Sequence, residues 1–374
     1  MHSCILLETE KEARSFPRGD LELAFCQDCG FVFNDQFDQA AMGYSTNFEE
    51  SQHFSSTFNS FAKELAAEIA QKCEAHGKVV LEIGCGKGEF LREFCRVGNC
   101  RGIGIDPGYR ADPGRENVDA CIEFIIDHFG PNYQGLVADI TLCRHTLEHI
   151  APVAAFTASI REMLAAKPDA WVVFETPDVS RVLAEGAFWD IYYEHCSYFS
   201  AGTHARLFRS QGFDVTDLSL GFGRQYIIQY ARPTSIRTPS KLELEDDLDE
   251  MRALAGRFSS LVANVRNYWL RRIRETAAAG QKIVLWGGGS KGVSFLTTLG
   301  LRSEINSLVD VNPYKQGKFV PGSGHKVLAP AALRDEKPDL IVVMNPIYLG
   351  EIRSMASELG LAAAVEPVTQ APNN

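Results

Sequence analysis

The 374-residue sequence has no uncharged apolar run near the roughly 18 residues that a bilayer-spanning helix requires. Its first residues, MHSCILLETEKEARS, lack a basic stretch leading into an apolar one, so no secretory signal is read there. Low-complexity segments are absent too. So is a surplus of positive charge: 37 Lys and Arg stand against 48 Asp and Glu, a formal net charge of −11. That balance argues against nucleic acid or an anionic membrane as partner. The ten cysteines are scattered, several inside apolar runs (Cys85, Cys95, Cys143), with no spacing that suggests a disulfide framework. Reduced thiols and a cytoplasmic location are the expectation. What remains is an ordinary globular composition, 45% apolar and 23% charged, in a chain long enough for two domains plus an appendage.

The most informative stretch is VVLEIGCGKGEF, Val79 to Phe90. An apolar run with Glu82 inside it ends in three alternating glycines, Gly84, Gly86 and Gly88. A second apolar run, GIGID, ends at Asp106. Strand, glycine turn, helix and a second strand ending in an acid make a βαβ nucleotide site. The glycines admit close approach of the backbone to a ligand, and an acid at the second strand's end can take two ribose hydroxyls. The pattern is E-x-G-x-G-x-G rather than the dinucleotide G-x-G-x-x-G. It looks like the S-adenosylmethionine (SAM) site of class I methyltransferases.

Apolar steps of three and four at Phe58, Phe61, Leu65 and Ile69 predict an amphipathic helix leading into the first strand. Further strands are expected at 121–126, 135–143, 170–177 and 226–231, with helices at 153–164 and 203–213. Alternation of this kind implies a mostly parallel, doubly wound α/β sheet. The polar, proline-bearing stretch 231–241 reads as a linker. A long helix follows, roughly Leu244 to Ala279, with one buried face through Met251, Phe258, Val265 and Trp269. The βαβ grammar then restarts at IVLWGGGSKG (283–292) and INSLVD (305–310). This second unit has no acid equivalent to Glu82 within its strand, so SAM is not expected there. Lys291 suits an anionic group instead. The two units show no close sequence repeat.

Three clusters carry chemistry. In CRHTLEHI, His145 and His149 are four residues apart after the fourth strand, on what reads as a helix start, so they would share a face. In FWDIYYEHCSYFS, Tyr192, Glu194 and His195 fall within four residues. A neutral histidine beside a carboxylate is a good general base near pH 7, and tyrosines can donate to an enolate oxygen. Carbon methylation needs that combination, because an ordinary carbon becomes nucleophilic only after losing a proton next to a carbonyl. The third cluster is Cys26-Gln-Asp-Cys29, half of a structural zinc site, with Cys4 and His2 as the upstream candidates to complete it.

Together these segments resemble the sugar C-methyltransferases typified by the 3-C-methyltransferases of TDP-deoxysugar biosynthesis. The likeness spans nearly the whole chain: the LEHI segment, the ETPD strand end (Glu175 to Asp178), the YxEHxSYFS loop, and WGGGSKG followed by VDVNPYKQGKFVPGSGHKV (309–327). It implies an N-terminal zinc-binding region, a central SAM domain and a C-terminal Rossmann-like domain. It implies active-site roles for His195, Glu194, Tyr192 and His149, and for an N-terminal tyrosine, with Tyr44 the candidate. The sequence departs from the family in lacking the first C-x-x-C pair and in reading GFGRQY at 221–226.

The expected organisation is therefore 1–57, a zinc-binding-like region; 58–232, a SAM domain; 233–280, a linker and long helix; and 281–374, a Rossmann-like substrate domain. The expected cofactor residues are Glu82, Gly84, Cys85, Gly86, Gly88, Asp106, Asp127, Phe129, Arg144 and His145. Cys4, Cys26 and Cys29 are the expected metal ligands. The expected reaction is C-methylation of a small carbonyl metabolite, with a nucleotide-linked ketosugar in view, bound between the two Rossmann-like units. O- or N-methylation, or a non-catalytic binding protein on the same fold, are the alternatives.

Overall fold

A computed structural model describes residues 3–42, 48–49, 51–110, 121–235 and 241–370. It begins with a short helix α1 (Glu10–Ser15), opened by a capping box in which Thr9 and Glu12 each accept the other's backbone N–H. Strands β1 (Leu23–Phe25) and β2 (Val32–Asn34) then form a hairpin around the Cys26–Cys29 turn.

The central unit runs α2 (Ser56–Lys72), β3 (Val79–Ile83), α3 (Glu89–Gly98), β4 (Arg101–Ile105), β5 (Ile122–Ile125), β6 (Ile140–Arg144), α4 (Val153–Met163), β7 (Trp171–Pro177), α5 (Val179–Glu185), β8 (Ser197–Tyr198), α6 (Ala201–Ser210), β9 (Phe213–Gly221) and β10 (Tyr226–Pro233). Seven strands make one sheet in the order β5-β4-β3-β6-β7-β10-β9. β3 to β7 are parallel, while β10 runs antiparallel to both β7 and β9. The strand order reverses at β3, between β4 and β6. That is where an open α/β sheet leaves a crevice beyond its carboxyl ends. Helix α2 buries Phe58, Leu65 and Ile69 against this unit. Each such side chain contributes about 1.5–3 kcal/mol of apolar transfer.

Helix α7 (Leu248–Ala278) leads into β11 (Ile283–Trp286), α8 (Ser290–Leu299), β12 (Ser307–Val309), β13 (Val327–Leu328), α9 (Leu333–Glu336), β14 (Leu340–Val343), α10 (Leu349–Glu358) and β15 (Ala364–Pro367). These strands form a parallel sheet in the order β13-β12-β11-β14-β15. The two α/β units share a core. One apolar cluster joins Val179, Leu183 and Trp189 of the central unit to Met251 and Trp269 of α7 and to Leu285 and Phe295 of the C-terminal unit. Polar contacts also cross. The N-terminus of α2 is held by the Glu351 carboxylate of α10, which accepts from Ser55 Oγ at 2.8 Å and from the Thr57 N–H at 3.1 Å.

Several elements differ from the sequence reading. The helix expected at 203–213 stops at Ser210, because Gly212 (φ +82°) turns the chain into β9. β6 starts only at Ile140 rather than near 135. His145 and His149 do not share a helix face. His145 sits in a left-handed conformation (φ +48°) directly after β6, and His149 ends a one-turn 3-10 segment, with α4 beginning only at Val153.

Candidate active site

The turn after β3 is built for close approach. Gly84 has φ +70°, and a Cβ placed on it would lie 2.0 Å from Thr146 Oγ1. Gly88, at φ +73°, opens α3 with its Cα face against the Phe124 ring, 2.4 Å from a hypothetical Cβ. Asp106 is locked by two backbone donors: the Gly86 N–H to Oδ2 at 2.9 Å and the Gly108 N–H to Oδ1 at 2.7 Å. Its remaining lone pairs can accept hydroxyl protons. Gly84→Ala is therefore expected to displace the turn and abolish measurable S-adenosylhomocysteine (SAH) binding in calorimetry while the fold's circular dichroism persists. Wild-type affinity in that variant would mean the turn does not touch the cofactor.

A cavity of about 570 Å³ opens at the carboxyl ends of the central strands. Every expected cofactor residue lines it except Gly88, which lies behind the turn at the head of α3. His149, Tyr192, Glu194 and His195 line it as well, together with Ser290 and Lys291 of the C-terminal unit. Tyr44 lies outside the described residues.

The cavity floor carries a buried polar cluster. Arg144 Nε donates to Glu175 Oε2 at 2.5 Å, and its guanidinium lies 3.7 Å from the Phe90 ring centroid. Burial alone would raise Glu175, but Arg144 and His145 outweigh it and hold the carboxyl at about 2. Glu82 receives less compensation. Burial pushes it up to about 8 despite Arg144, and its Oε2 has no hydrogen-bond partner among the described residues. Burial likewise lifts Glu148 to about 7, with His145 opposing.

The β7–β8 segment supplies the second half of the site. His149 Nδ1 lies 3.0 Å from the Glu194 carbonyl oxygen. A carbonyl only accepts, so Nδ1 carries a proton and donates it there. The His149 and His195 rings meet edge to face, with centroids 4.8 Å apart, and Tyr192 meets His195 the same way at 4.7 Å. Burial, then His149 and His145, push the His195 imidazole well below its ordinary range, so it is neutral at physiological pH. Tyr192 Oη donates to Asp190 Oδ1 at 2.8 Å, and burial holds its phenol well above the usual tyrosine range.

Glu194 does not orient His195 as the sequence suggested. Its carboxylate accepts from the Ser3 N–H (3.1 Å) and Ser3 Oγ (3.0 Å), so it ties down the N-terminal segment. Lys291 also differs from expectation. Its ammonium is committed to the Asp190 carboxylate rather than left for a ligand anion. The expected zinc set does not assemble. Cys4 Sγ sits 3.2 Å from Ser290 Oγ in the C-terminal unit, while Cys26 and Cys29 close the β1–β2 hairpin, and no three-ligand cluster among the described residues contains them. That hairpin instead braces the active loop: β2 pairs with β8, and the Asn34 N–H donates to the Cys196 carbonyl, next to His195, at 3.0 Å.

The family described as "methyltransferase domain" matches residues 54–218, and the family described as "C-methyltransferase C-terminal domain" matches residues 224–364. The chain is a SAM-dependent methyltransferase. C-methyltransferase NovU of Streptomyces niveus is 27% identical to this methyltransferase over 290 residues, covering 74% of this chain and 68% of NovU. Among solved structures, a 1,6-didemethyltoxoflavin-N1-methyltransferase from Burkholderia thailandensis matches at 17% identity and TM-score 0.38, over 57% of this chain and all of that one. The magnesium protoporphyrin IX methyltransferase of Synechocystis PCC 6803 matches at 15% identity and TM-score 0.37, over 48% of this chain and 84% of its own. Among the described residues, no helix of this methyltransferase is long and apolar enough to cross a membrane. Asp190, Arg181 and Ser3 take part in the site without having been singled out for it. For Asp190 the available signal was an acid two residues before Tyr192, within a polar-aromatic run.

Proposed function

We propose that this methyltransferase methylates a carbon next to a carbonyl group of a small metabolite, with a nucleotide-linked ketosugar as the substrate class, after His195 removes a proton from that carbon. The observation that carries the reading is the position of His195: a neutral buried imidazole, walled by His149 and Tyr192, opening on the same cavity as the glycine turn. The C-methyltransferase match of the C-terminal unit, and the likeness to NovU, favour carbon over oxygen or nitrogen as acceptor.

The residues present fit SAM. Gly84 leaves room where a Cβ would collide, Asp106 is preset to accept the ribose hydroxyls, and Glu82 keeps a buried oxygen without a partner among the described residues. When bound, SAM supplies an electrophilic methyl group. The chain's own residues do the rest. His195 takes the substrate proton. His149, held by the Glu194 carbonyl, fixes the face of the His195 ring. The closely packed Glu148, with its carboxyl near neutrality, offers a place to pass the proton on.

Incubation with SAM and a TDP-linked keto-deoxysugar tests the reading. The product is expected to show a new carbon-bound methyl resonance. A methoxy or N-methyl resonance would replace this reading with O- or N-methylation.

A further inference from the structure

The C-terminal unit does more than close the cavity: it reaches the loop that carries His195. Helix α8 packs directly on the one-turn 3-10 segment Phe188–Asp190, with the Phe188 and Phe295 rings stacked at 5.8 Å. Ser294 Oγ is shared between the carbonyls of Phe188 (3.1 Å) and Ile191 (2.9 Å), the two flanks of that turn. One helical turn earlier, Lys291 contacts Asp190 Oδ1, the oxygen that accepts the Tyr192 hydroxyl at 2.8 Å. Arg181 of α5 takes the other oxygen, Oδ2, at 2.6 Å, and is itself paired with Glu185 at 2.8 Å. The Tyr192 ring then stands edge-on to His195.

We propose that Lys291 and Asp190 are positioning residues of the methyl-transfer reaction: Lys291, delivered by the C-terminal unit, keeps Asp190 as the acceptor that fixes Tyr192, and through it the His195 ring. This rests on His195 as the base. The order of contacts assigns the parts. Asp190 has two oxygens and three partners, and Lys291 and Tyr192 share one of them. Arg181 alone satisfies the other oxygen, so it cannot replace Lys291 at the tyrosine side. Lys291 is half-buried, and burial and then Arg181 work against its charge, while Glu185 supports it and Asp190 is in direct contact. The Tyr192 hydroxyl also feels Glu194, Tyr198 and Cys4 around the ring. Lys291 and Arg181 thus face the two oxygens of the Asp190 carboxylate from different units of the chain. Misplacing a catalytic group by about 1 Å can cost roughly a hundredfold in rate.

The test uses the full chain with Lys291→Met, Lys291→Arg and Asp190→Asn. In Lys291→Met, turnover and exchange of the substrate's α-proton with deuterated water are expected to fall together, roughly 10- to 100-fold, while SAH affinity stays within about twofold. The acid limb of the kcat–pH profile is expected to move to higher pH, because Asp190 without its lysine protonates more readily and then no longer accepts from Tyr192. Lys291→Arg should recover most of both rates, and Asp190→Asn should lower both rates as Lys291→Met does, without the pH shift. A substrate-free readout stands beside these: in isotope-labelled tyrosine NMR, the resonance assigned with Tyr192→Phe should shift in Lys291→Met and return in Lys291→Arg. Unchanged rates and an unmoved Tyr192 resonance would overturn the proposal. So would a loss that is equal at all pH values, is not recovered by arginine and comes with a lowered melting temperature, which is the signature of domain packing alone. Should the wild type leave the ketosugar unmethylated, the substrate reading fails, and the NMR arm still decides this one.

Discussion

Replacing His195 with asparagine is expected to lower turnover by roughly 10²–10⁴ while leaving SAH affinity nearly unchanged. The asparagine amide fills much of the imidazole's space but cannot take a proton. On the proposed reading the base acts only on the substrate, whereas the cofactor would be held by the turn after β3 and the end of β4, on separate elements of the sheet. Exchange of the substrate α-proton into deuterated water, which needs no methyl donor, should vanish with turnover. Tyr192→Phe should cut both rates less, because it removes the hydroxyl held by Asp190 and leaves the base in place. The pH profile gives a further check. The folded protein holds His195 well below the ordinary histidine range, so the imidazole stays unprotonated as pH falls past 6.5. The acid limb due to His195 is therefore expected well below pH 6.5, and it should be absent from the residual activity of the asparagine variant. Normal exchange and turnover in His195→Asn would make the loop structural and His149 the next base to test.

Much of this fold could be read from local pattern because local pattern generates it. The parallel strands are continuous apolar runs ending in a glycine or an acid, and they appear as expected at β3, β4, β5, β7, β11 and β12. The repeat of the grammar is physical. In both units a glycine N–H of the first turn donates to the acid ending the second strand, Gly86 to Asp106 and Gly288 to Asp310, each at 2.9 Å. What escaped the sequence are elements that exist through a partner strand, near or distant. β9 exists because β10 offers it an antiparallel edge, and β2 because β8, more than 160 residues later, pairs with it. Periodicity within the three residues of β2 carries no trace of β8.

The site divides along the same line. The glycine turn and Asp106 are sequence-local, since spacing alone sets the geometry of a βαβ crossover. The histidine pair was assigned by helical spacing, and that failed because His145 leaves β6 in a left-handed conformation. The residues are nonetheless at one cavity, brought there by strand ends rather than by a shared helix face. The roles of Glu194 and Lys291 depend on Ser3 and Asp190, partners separated from them by 191 and 101 positions. The C-x-x-C pair shows the converse: a motif that reads as metal-binding works here as a hairpin turn, where Arg206 Nε donates to the Cys29 carbonyl at 3.1 Å.

Asp106→Ala is expected to weaken SAH binding roughly 10- to 150-fold, the equivalent of about 1.5–3 kcal/mol for hydrogen bonds to a charged group. Two effects combine. On the proposed reading the carboxylate accepts both ribose hydroxyls, and alanine would leave them unpaired in a partly buried site. The same carboxylate accepts the Gly86 and Gly108 N–H groups, so its loss also frees the turn proposed to hold the cofactor. Asp106→Asn separates the two. Its amide keeps one acceptor oxygen for the turn but presents a donor where a hydroxyl proton should land, so it should retain the melting temperature better than alanine while still binding SAH weakly. Calorimetry on the three proteins, with melting curves alongside, reads both terms. Unchanged SAH affinity in Asp106→Ala would mean that the end of β4 does not hold the ribose.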